Sequence, residues 1–230
     1  MDYEKAVEDF YVSILNPGDY VIDCGAHSGR HTIPMARRVG SSGHVFAFEP
    51  LPSAFAALKN NLSSHSISNA TIENIALGEV EGQTQFVYVP EFPEYSGFKE
   101  RVYHDEGIER TIINVPVLRL ENKKFPGKVK YIKIDAEGGD LIIMRGARGL
   151  IEKHRPFVTF ELGDNSILKY DYKSMDYYDF FAGMEYDVYT ITGAKLSREA
   201  LVESSKVQSV WDYVAAPREG DISMWPALGA

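Results

Sequence analysis

Four acidic residues stand where apolar runs of the sequence end, and each could take part in chemistry. These residues are Asp23, Glu49, Asp135 and Glu161. Parallel strands place their carboxyl ends at one edge of a sheet, and ligands bind in the crevice there. One acid at a strand end is common as a turn or cap residue, but four on four strands indicate a shared site. Such carboxylates can bind a cation, accept a proton or ligate a metal.

The loop after the first of these acids restricts the ligand. The segment "VIDCGAHSGRHT" has the pattern Asp23-x-Gly25-x-x-x-Gly29, with His27 where a dinucleotide loop has its second glycine. A Gly-Lys-Ser or Gly-Lys-Thr phosphate loop is also absent from the sequence. A ligand without phosphates at this loop, but with an amine, needs a carboxylate and glycines that admit it to the backbone. S-adenosylmethionine meets that description, and Glu49 could accept its two ribose hydroxyls.

These residues need elements that position them, and the apolar pattern supplies strands alternating with helices. Strand segments are "DYVIDCG", "GHVFAFEP", "ATIENIALG", "VKYIKID", "RPFVTFELG", "YDVYTIT" and "SVWDYVAA". Helix segments are residues 30–39, "PSAFAALKNNLSSH", "GDLIIMRGARGLIEKH" and "SMDYYDFFAGM". This order predicts an α/β fold around a mostly parallel seven-stranded sheet. Residues 81–120 form a β-rich insertion before the fourth strand, and its polar loop, residues 91–110, is predicted to be an acceptor lid.

Composition predicts one domain over residues 1–230, ordinary in its hydrophobic share of 44% and its charged share of 25%. The net charge of −9 disfavours nucleic acid and anionic membranes as partners. A single cysteine, Cys24, and an acidic beginning, "MDYEKAVEDF", favour the cytoplasm. Nothing in the sequence indicates an oligomeric state.

Several segments together resemble the FkbM family of S-adenosylmethionine-dependent methyltransferases over most of the chain. They are "VIDCGAHSGRHT", "VFAFEPLPSAFAALKNNL", "NIALG", "VKYIKIDAEGGDLIIMRGA" and "RPFVTFEL". The resemblance implies a Rossmann-like class I methyltransferase fold, with helices on both sheet faces, that acts on hydroxyl groups of sugars or polyketide-like metabolites. It also implies that S-adenosylmethionine, and S-adenosylhomocysteine as product, contact Asp23, Gly25, Gly29 and Glu49, with Asn74 to Ala76 beside the adenine. Further cofactor contacts are predicted for Ala26, His27 and Asp135, and His27 is a departure, since the family often has asparagine there.

Methyl transfer to a hydroxyl needs a group that removes a proton, because a sugar hydroxyl is a poor acid. Asp135 and Glu161 are the candidates, although Asp135 could instead only bind the cofactor amine and Glu161 only order the next loop. With Asp164 or Asn165 they could also hold magnesium, but a side-chain base is favoured over a metal. Acceptor contacts are predicted for Glu137, Arg101 and His104.

Three other functions stay open. One is a divalent-metal-dependent O-methyltransferase, and another is a non-catalytic cofactor-binding module, which only turnover separates from an enzyme. An N-methyltransferase is disfavoured because no Asn/Asp-Pro-Pro-Tyr signature follows the fourth strand.

Overall fold

The computed structural model describes residues 1–92, 96–99 and 109–229 of the chain. Its strands are β1 (Tyr20–Cys24), β2 (His44–Phe48), β3 (Ala70–Glu73), β4 (Ala76–Leu77), β5 (Gly82–Tyr88), β6 (Thr111–Leu118), β7 (Val129–Ile134), β8 (Phe157–Glu161), β9 (Tyr186–Thr190) and β10 (Asp212–Pro217). Its helices are α1 (Tyr3–Ile14), α2 (Thr32–Val39), α3 (Pro52–Ser64), α4 (Asp140–Gly146), α5 (Arg148–His154), α6 (Asp164–Ile167), α7 (Ser174–Ala182) and α8 (Arg198–Val207).

Seven strands form the central sheet in the order β3-β2-β1-β7-β8-β10-β9. The first five of these run parallel, while β10 is antiparallel to both β8 and β9. The carboxyl ends of the five parallel strands therefore share one edge with the amino end of β10. The expected α/β fold with a mostly parallel seven-stranded sheet is confirmed.

Each face of the sheet packs against its own helices, which explains why the strands are apolar on both sides. Successive residues of β1 point to opposite faces, so Val21 packs with α1, α2 and α3 while Ile22 packs with α4, α5, α7 and α8. Phe10 of α1 and Phe181 of α7 are fully buried on these two faces. The helices on the two faces thus hold in place the strand ends that carry the acids.

The β-rich insertion forms a second, three-stranded sheet in the order β4-β6-β5. Strands β5 and β6 pair antiparallel over their full length, from Gly82 opposite Val117 to Tyr88 opposite Thr111. The apolar side of this small sheet packs with Leu51 and Ala54, next to the end of β2. The insertion is therefore attached to the edge of the central sheet where the acids lie.

Two predicted elements are divided in the structure. The segment "ATIENIALG", expected as one strand, splits into β3 in the central sheet and β4 in the small sheet. Between them the Asn74 amide donates to the carbonyl oxygens of Glu49 and Pro50, at 2.8 and 3.0 Å. The segment expected as one helix after β7 becomes α4 and α5, and it breaks beside Gly146. A Cβ on that glycine would lie 1.9 Å from the Gly78 oxygen.

Within the described parts of the chain, no helix combines the length and the apolar character that crossing a membrane requires.

Candidate active site

A cavity of about 380 Å³ opens at the carboxyl edge of the central sheet. Its wall combines residues from strand ends, from α1 and from the insertion. The predicted residues that line it are Asp23, Gly25, Ala26, His27, Glu49, Ala76, Asp135, Glu137 and Glu161. The predicted acceptor residues Arg101 and His104 lie outside the described residues, as does most of the predicted lid. From segment 91–110, Ser96 and Phe98 line the cavity.

The turn after β1 is tied to both neighbouring strands by its backbone. The amides of Gly25 and Ala26 both donate to the Phe48 oxygen at 3.0 Å, and the Asp135 amide donates to the Cys24 oxygen at 3.0 Å. Gly25 has a φ of 81°, and a Cβ there would lie only 1.9 Å from the Asp135 oxygen. Only glycine therefore fits at this position, which brings the turn close to the end of β7.

Asp23 places a buried carboxylate oxygen in the cavity wall without a protein partner. Its Oδ2 accepts a hydrogen bond from the Thr32 hydroxyl at 2.6 Å. Its Oδ1 is buried and has no hydrogen-bond partner among the residues that the structure describes. A buried carboxylate oxygen without a donor is costly. The site is therefore incomplete without a donor or cation from a ligand, and an ammonium group fits this requirement.

Glu49 is held rigidly at the end of β2. Its two carboxylate oxygens accept from the backbone amides of Leu51 and His27, each at 2.8 Å. Burial raises the pKa of Glu49 to about 7, although these two hydrogen bonds oppose the increase. A carboxylate has about four acceptor sites, so two remain for the hydroxyls of a ligand. His27 reaches its donor position through a left-handed backbone, with a φ of 46°.

Two of the predicted cofactor residues lie behind the cavity surface. Asn74 directs its amide to the carbonyls of Glu49 and Pro50, and it does not line the cavity. Gly29 also does not line it, and a Cβ there would meet the Leu58 side chain at 2.8 Å. In this structure both residues shape the turns that carry Glu49 and His27, and their contact with a ligand stays a prediction.

A buried lysine that sequence reasoning missed lies between two of the acids. Lys133 is 5% exposed, pairs with Asp23 in the register of β1 and β7, and donates to Asp135 Oδ2 at 2.9 Å. Burial lowers the pKa of Lys133, but Asp135 and Asp23 outweigh burial and hold that pKa above its ordinary value. The ammonium thus stays charged and fixes the orientation of the Asp135 carboxylate.

Three acids come together at the ends of β7 and β8. One carboxylate oxygen each from Asp135, Glu137 and Glu161 lies within 4.8 Å of the others. Asp140, which is fully buried, accepts from the amides of Ala136 and Glu161 at 3.3 and 3.1 Å and so joins the two strand ends. Burial and the charge of Asp135 raise the pKa of Asp140 to about 7.

The two metal ligands suggested after β8 are not part of this group. Asp164 accepts a hydrogen bond from the Ser205 hydroxyl at 2.6 Å, and neither Asp164 nor Asn165 lines the cavity. Glu137, predicted only as an acceptor contact, takes the third position beside Asp135 and Glu161 instead.

Comparison with known proteins assigns the family. Residues 23–185, most of the chain, match the family model of the methyltransferase FkbM domain. The chain belongs to this FkbM family. The resemblance noted from the sequence is thereby confirmed, and membership places the chain among S-adenosylmethionine-dependent methyltransferases.

Three relatives illustrate the extent of the likeness. The 31-O-demethyl-FK506 methyltransferase FkbM of Streptomyces tacrolimicus is 33% identical over 84 residues, which are 36% of this chain and 32% of that protein. The structure of methyltransferase FkbM from Methylobacillus flagellatus has a TM-score of 0.54 at 18% identity, covering 87% of this chain and 44% of that one. A Streptococcus mutans protein solved in complex with SAH has a TM-score of 0.53 at 10% identity, covering 92% and 94%.

The chain spans about a third of the length of the curated FkbM relative and less than half of the solved FkbM structure. The solved structures support the fold alone. The buried Asp23 oxygen and the two carboxylate oxygens of Glu49 belong to the same cavity wall.

Sequence reasoning also missed a group of cavity residues outside the strand-end pattern. They are Tyr3, Glu4, Arg30, Trp211 and Asp212. Glu4 accepts a hydrogen bond from His31 Nε2 at 2.5 Å, and this bond lowers the pKa of Glu4 to about 2. Asp212 lies opposite Glu161 in the sheet register. The acid immediately before the apolar run in "WDYVAA" could have indicated a site residue. That interpretation requires knowing that the strand runs antiparallel, so that its beginning lies at the edge with the other acids.

Proposed function

We propose that this chain is an O-methyltransferase that moves the methyl group of S-adenosylmethionine to a hydroxyl of a small acceptor, such as a sugar, a glycan or a secondary metabolite. The observation that carries the proposal is the convergence of Asp23, Glu49, Asp135 and Glu161, from four strands, in one cavity. Family membership supports the cofactor, which supplies an electrophilic methyl group when bound.

The donor half of the cavity is proposed around β1 and β2. Asp23 Oδ1 would accept from the ammonium group, which removes the cost of its buried, partnerless state. Glu49 would accept the ribose hydroxyls, and the absent side chain at Gly25 would allow close backbone approach. Ala76 would lie beside the adenine, since it lines the cavity next to the end of β2.

Asp135 and Glu161 are proposed to hold the acceptor hydroxyl and to take its proton. Lys133 orients Asp135 at 2.9 Å, and the amide of Glu161 is fixed by Asp140. Rigid placement of the base reduces the reorganisation that proton transfer requires. We therefore expect Asp135→Asn and Glu161→Gln to slow turnover by roughly 10²–10⁴-fold, the usual effect of losing general-base catalysis.

The test combines donor binding with turnover. Calorimetry with S-adenosylmethionine should show binding, and a panel of hydroxyl compounds should identify one that releases S-adenosylhomocysteine. Asp187→Asn is the matched control, because Asp187 pairs with Lys195 at 2.6 Å and does not line the cavity. Donor binding without turnover of any hydroxyl compound would favour a non-catalytic binding module.

A metal-dependent mechanism is a second candidate, favoured by the proximity of Asp135, Glu137 and Glu161. Hard oxygen ligands of this kind suit magnesium. Activity lost in EDTA and restored by magnesium would assign the three acids to a metal. Full activity in the chelator would exclude the metal-dependent mechanism and leave Asp135 and Glu161 with the role of accepting the proton.

We further propose that the acceptor is a small molecule rather than a nucleic acid, and that the protein acts in the cytoplasm. The net charge of −9 and the acidic cavity support the first point, since phosphate backbones require cationic partners. The single cysteine, which is buried and free, is consistent with a reducing compartment.

A further inference from the structure

The cavity has a second half, which lies between α1 and the start of β10. Because β10 is antiparallel to β8, its first residues stand at the same edge as the acids. The Leu162 amide donates to the Trp211 oxygen at 3.1 Å, which fixes Trp211 beside the end of β8. On the other side, the Tyr3 hydroxyl donates to the Ser209 oxygen at 3.4 Å. This bond joins α1 to the segment before β10.

The two tryptophans of the chain differ in environment. Trp225 is 2% exposed and packs against Phe10 with ring centroids 4.9 Å apart. Trp211 lines the cavity and is 40% exposed. Burying so large an apolar side chain is strongly favourable, so an exposed indole in a cavity wall is available to a ligand. A flat indole beside carboxyl groups suits the apolar face and the hydroxyls of a saturated ring.

The charges around the cavity are mostly negative. Among its described lining residues, seven carry carboxyl groups and two, Arg30 and Lys133, are permanent cations. Both cations already have partners, since Lys133 lies 2.9 Å from Asp135 and Arg30 lies 3.3 Å from Glu8. An anion entering this cavity would lose its hydration without gaining a free cation.

Asp212 is the acid of this half that the protein itself leaves least satisfied. It makes no ion pair and no side-chain hydrogen bond within the parts of the chain that the structure describes. Burial raises the pKa of Asp212 to about 8, with further increases from Asp135, Glu4 and Asp140 and a decrease from Lys133. Glu161 also faces it across the strand pair. A hydroxyl or ammonium group next to Asp212 would supply the missing partner.

We propose that Tyr3, Glu4, Trp211 and Asp212 form the acceptor subsite, and that it accepts hydroxylated ring compounds without negative charge. The ring would lie on the Trp211 indole, with a hydroxyl or an amino group at Asp212. This inference rests on the proposed function, because it assigns the other half of the cavity to the methyl donor. It selects neutral and amino-bearing acceptors over carboxylated or phosphorylated ones.

The local charge can be measured without knowing the acceptor. In a Trp225→Phe background, Trp211 is the only remaining tryptophan, and its fluorescence is quenched with caesium or with iodide at constant ionic strength. Negative potential concentrates cations, so caesium should quench several-fold more efficiently than iodide. At about pH 9, above the pKa of about 8 that burial gives Asp212, that carboxyl is charged, so adding Asp212→Asn should reduce this difference, whereas the matched Asp187→Asn should not. Equal quenching by both ions would overturn the charge argument.

Binding is tested in the same background with three probes: methyl glucoside, glucosamine and glucuronate, each with S-adenosylhomocysteine present. The neutral and amino sugars should change Trp211 fluorescence saturably, and glucuronate should bind about tenfold or more weakly because like charges repel. Tyr3→Ala and Asp212→Asn should weaken binding of the first two. No response to any probe, or a preference for glucuronate, would reject the subsite. Failure of the proposed function would appear separately, as absent donor binding by calorimetry or absent turnover.

Discussion

Replacing Gly25 with alanine tests whether the close approach between the β1 turn and β7 builds the site. Both Gly25 and Gly40 have positive φ, 81° and 65°, so an alanine at either adds about 1–3 kcal/mol of backbone strain. They differ in their surroundings. A Cβ on Gly25 would lie 1.9 Å from the Asp135 oxygen, whereas a Cβ on Gly40 has nothing within 4 Å.

The overlap at Gly25 adds a second cost. Relieving it requires the Asp135 carbonyl to move by more than an ångström, and such overpacking typically costs about 1–3 kcal/mol. We therefore expect Gly25→Ala to destabilise the protein by about 2–6 kcal/mol and Gly40→Ala by only about 1–3 kcal/mol. The displacement also shifts the turn after β1, which lines the cavity at Gly25 and Ala26, so donor binding should weaken in Gly25→Ala alone.

Urea unfolding of both variants gives the stability difference, and calorimetry with S-adenosylmethionine gives the affinity. Equal loss of stability in the two variants, together with unchanged affinity in Gly25→Ala, would refute the reasoning. It would mean that the turn can shift away from β7 without cost.

Three further predictions concern single side chains. Asp23→Asn should weaken S-adenosylmethionine binding by about ten- to a hundredfold in calorimetry, the scale of a charge-assisted hydrogen bond; an unchanged affinity would place the ammonium elsewhere. The pKa of Glu49 is raised to about 7, so the folded protein holds a proton that the unfolded chain loses near pH 4. The free energy of unfolding should therefore fall as the pH rises from about 4 to 7, and Glu49→Gln should remove up to about 3 kcal/mol of that fall, measured by urea titrations. Tyr131→Phe removes a buried hydroxyl 2.5 Å from Thr159 Oγ1 and should cost about 1–3 kcal/mol; a loss of donor binding as well would contradict its purely structural position.

The alternation of apolar runs with amphipathic segments was enough to place Asp23, Glu49, Asp135 and Glu161 at one edge. Parallel strands joined by helices all end on the same side, so a residue's place at the end of its run determines its place in the fold. The glycine at position 25 could be located in the same way, as the first residue after a buried strand. The reason that only glycine fits there, the Asp135 carbonyl, belongs to a strand more than a hundred residues later in the chain.

Local pattern could not separate elements that long-range contacts divide. The run "ATIENIALG" reads as one strand because its residues have suitable propensities, yet the Asn74 amide bonds to the carbonyls of Glu49 and Pro50 where the chain passes to a second sheet. Asp135 lies two residues after Lys133, but the burial of Lys133 beside Asp23 was hidden, because it follows only from the pairing of β1 and β7.

The sequence by itself determined the fold class, the family and the positions of the four acids at the strand ends, because these depend on periodicity and on a short local motif. The tertiary structure alone decided the other half of the cavity. Trp211 and Asp212 reach the site only because β10 runs antiparallel, so that its beginning rather than its end lies at the acidic edge. Tyr3 and Glu4 reach the site because α1, the first helix of the chain, packs on one face of the central sheet. Strand direction and helix placement are set by the packing of distant segments, which no local pattern records.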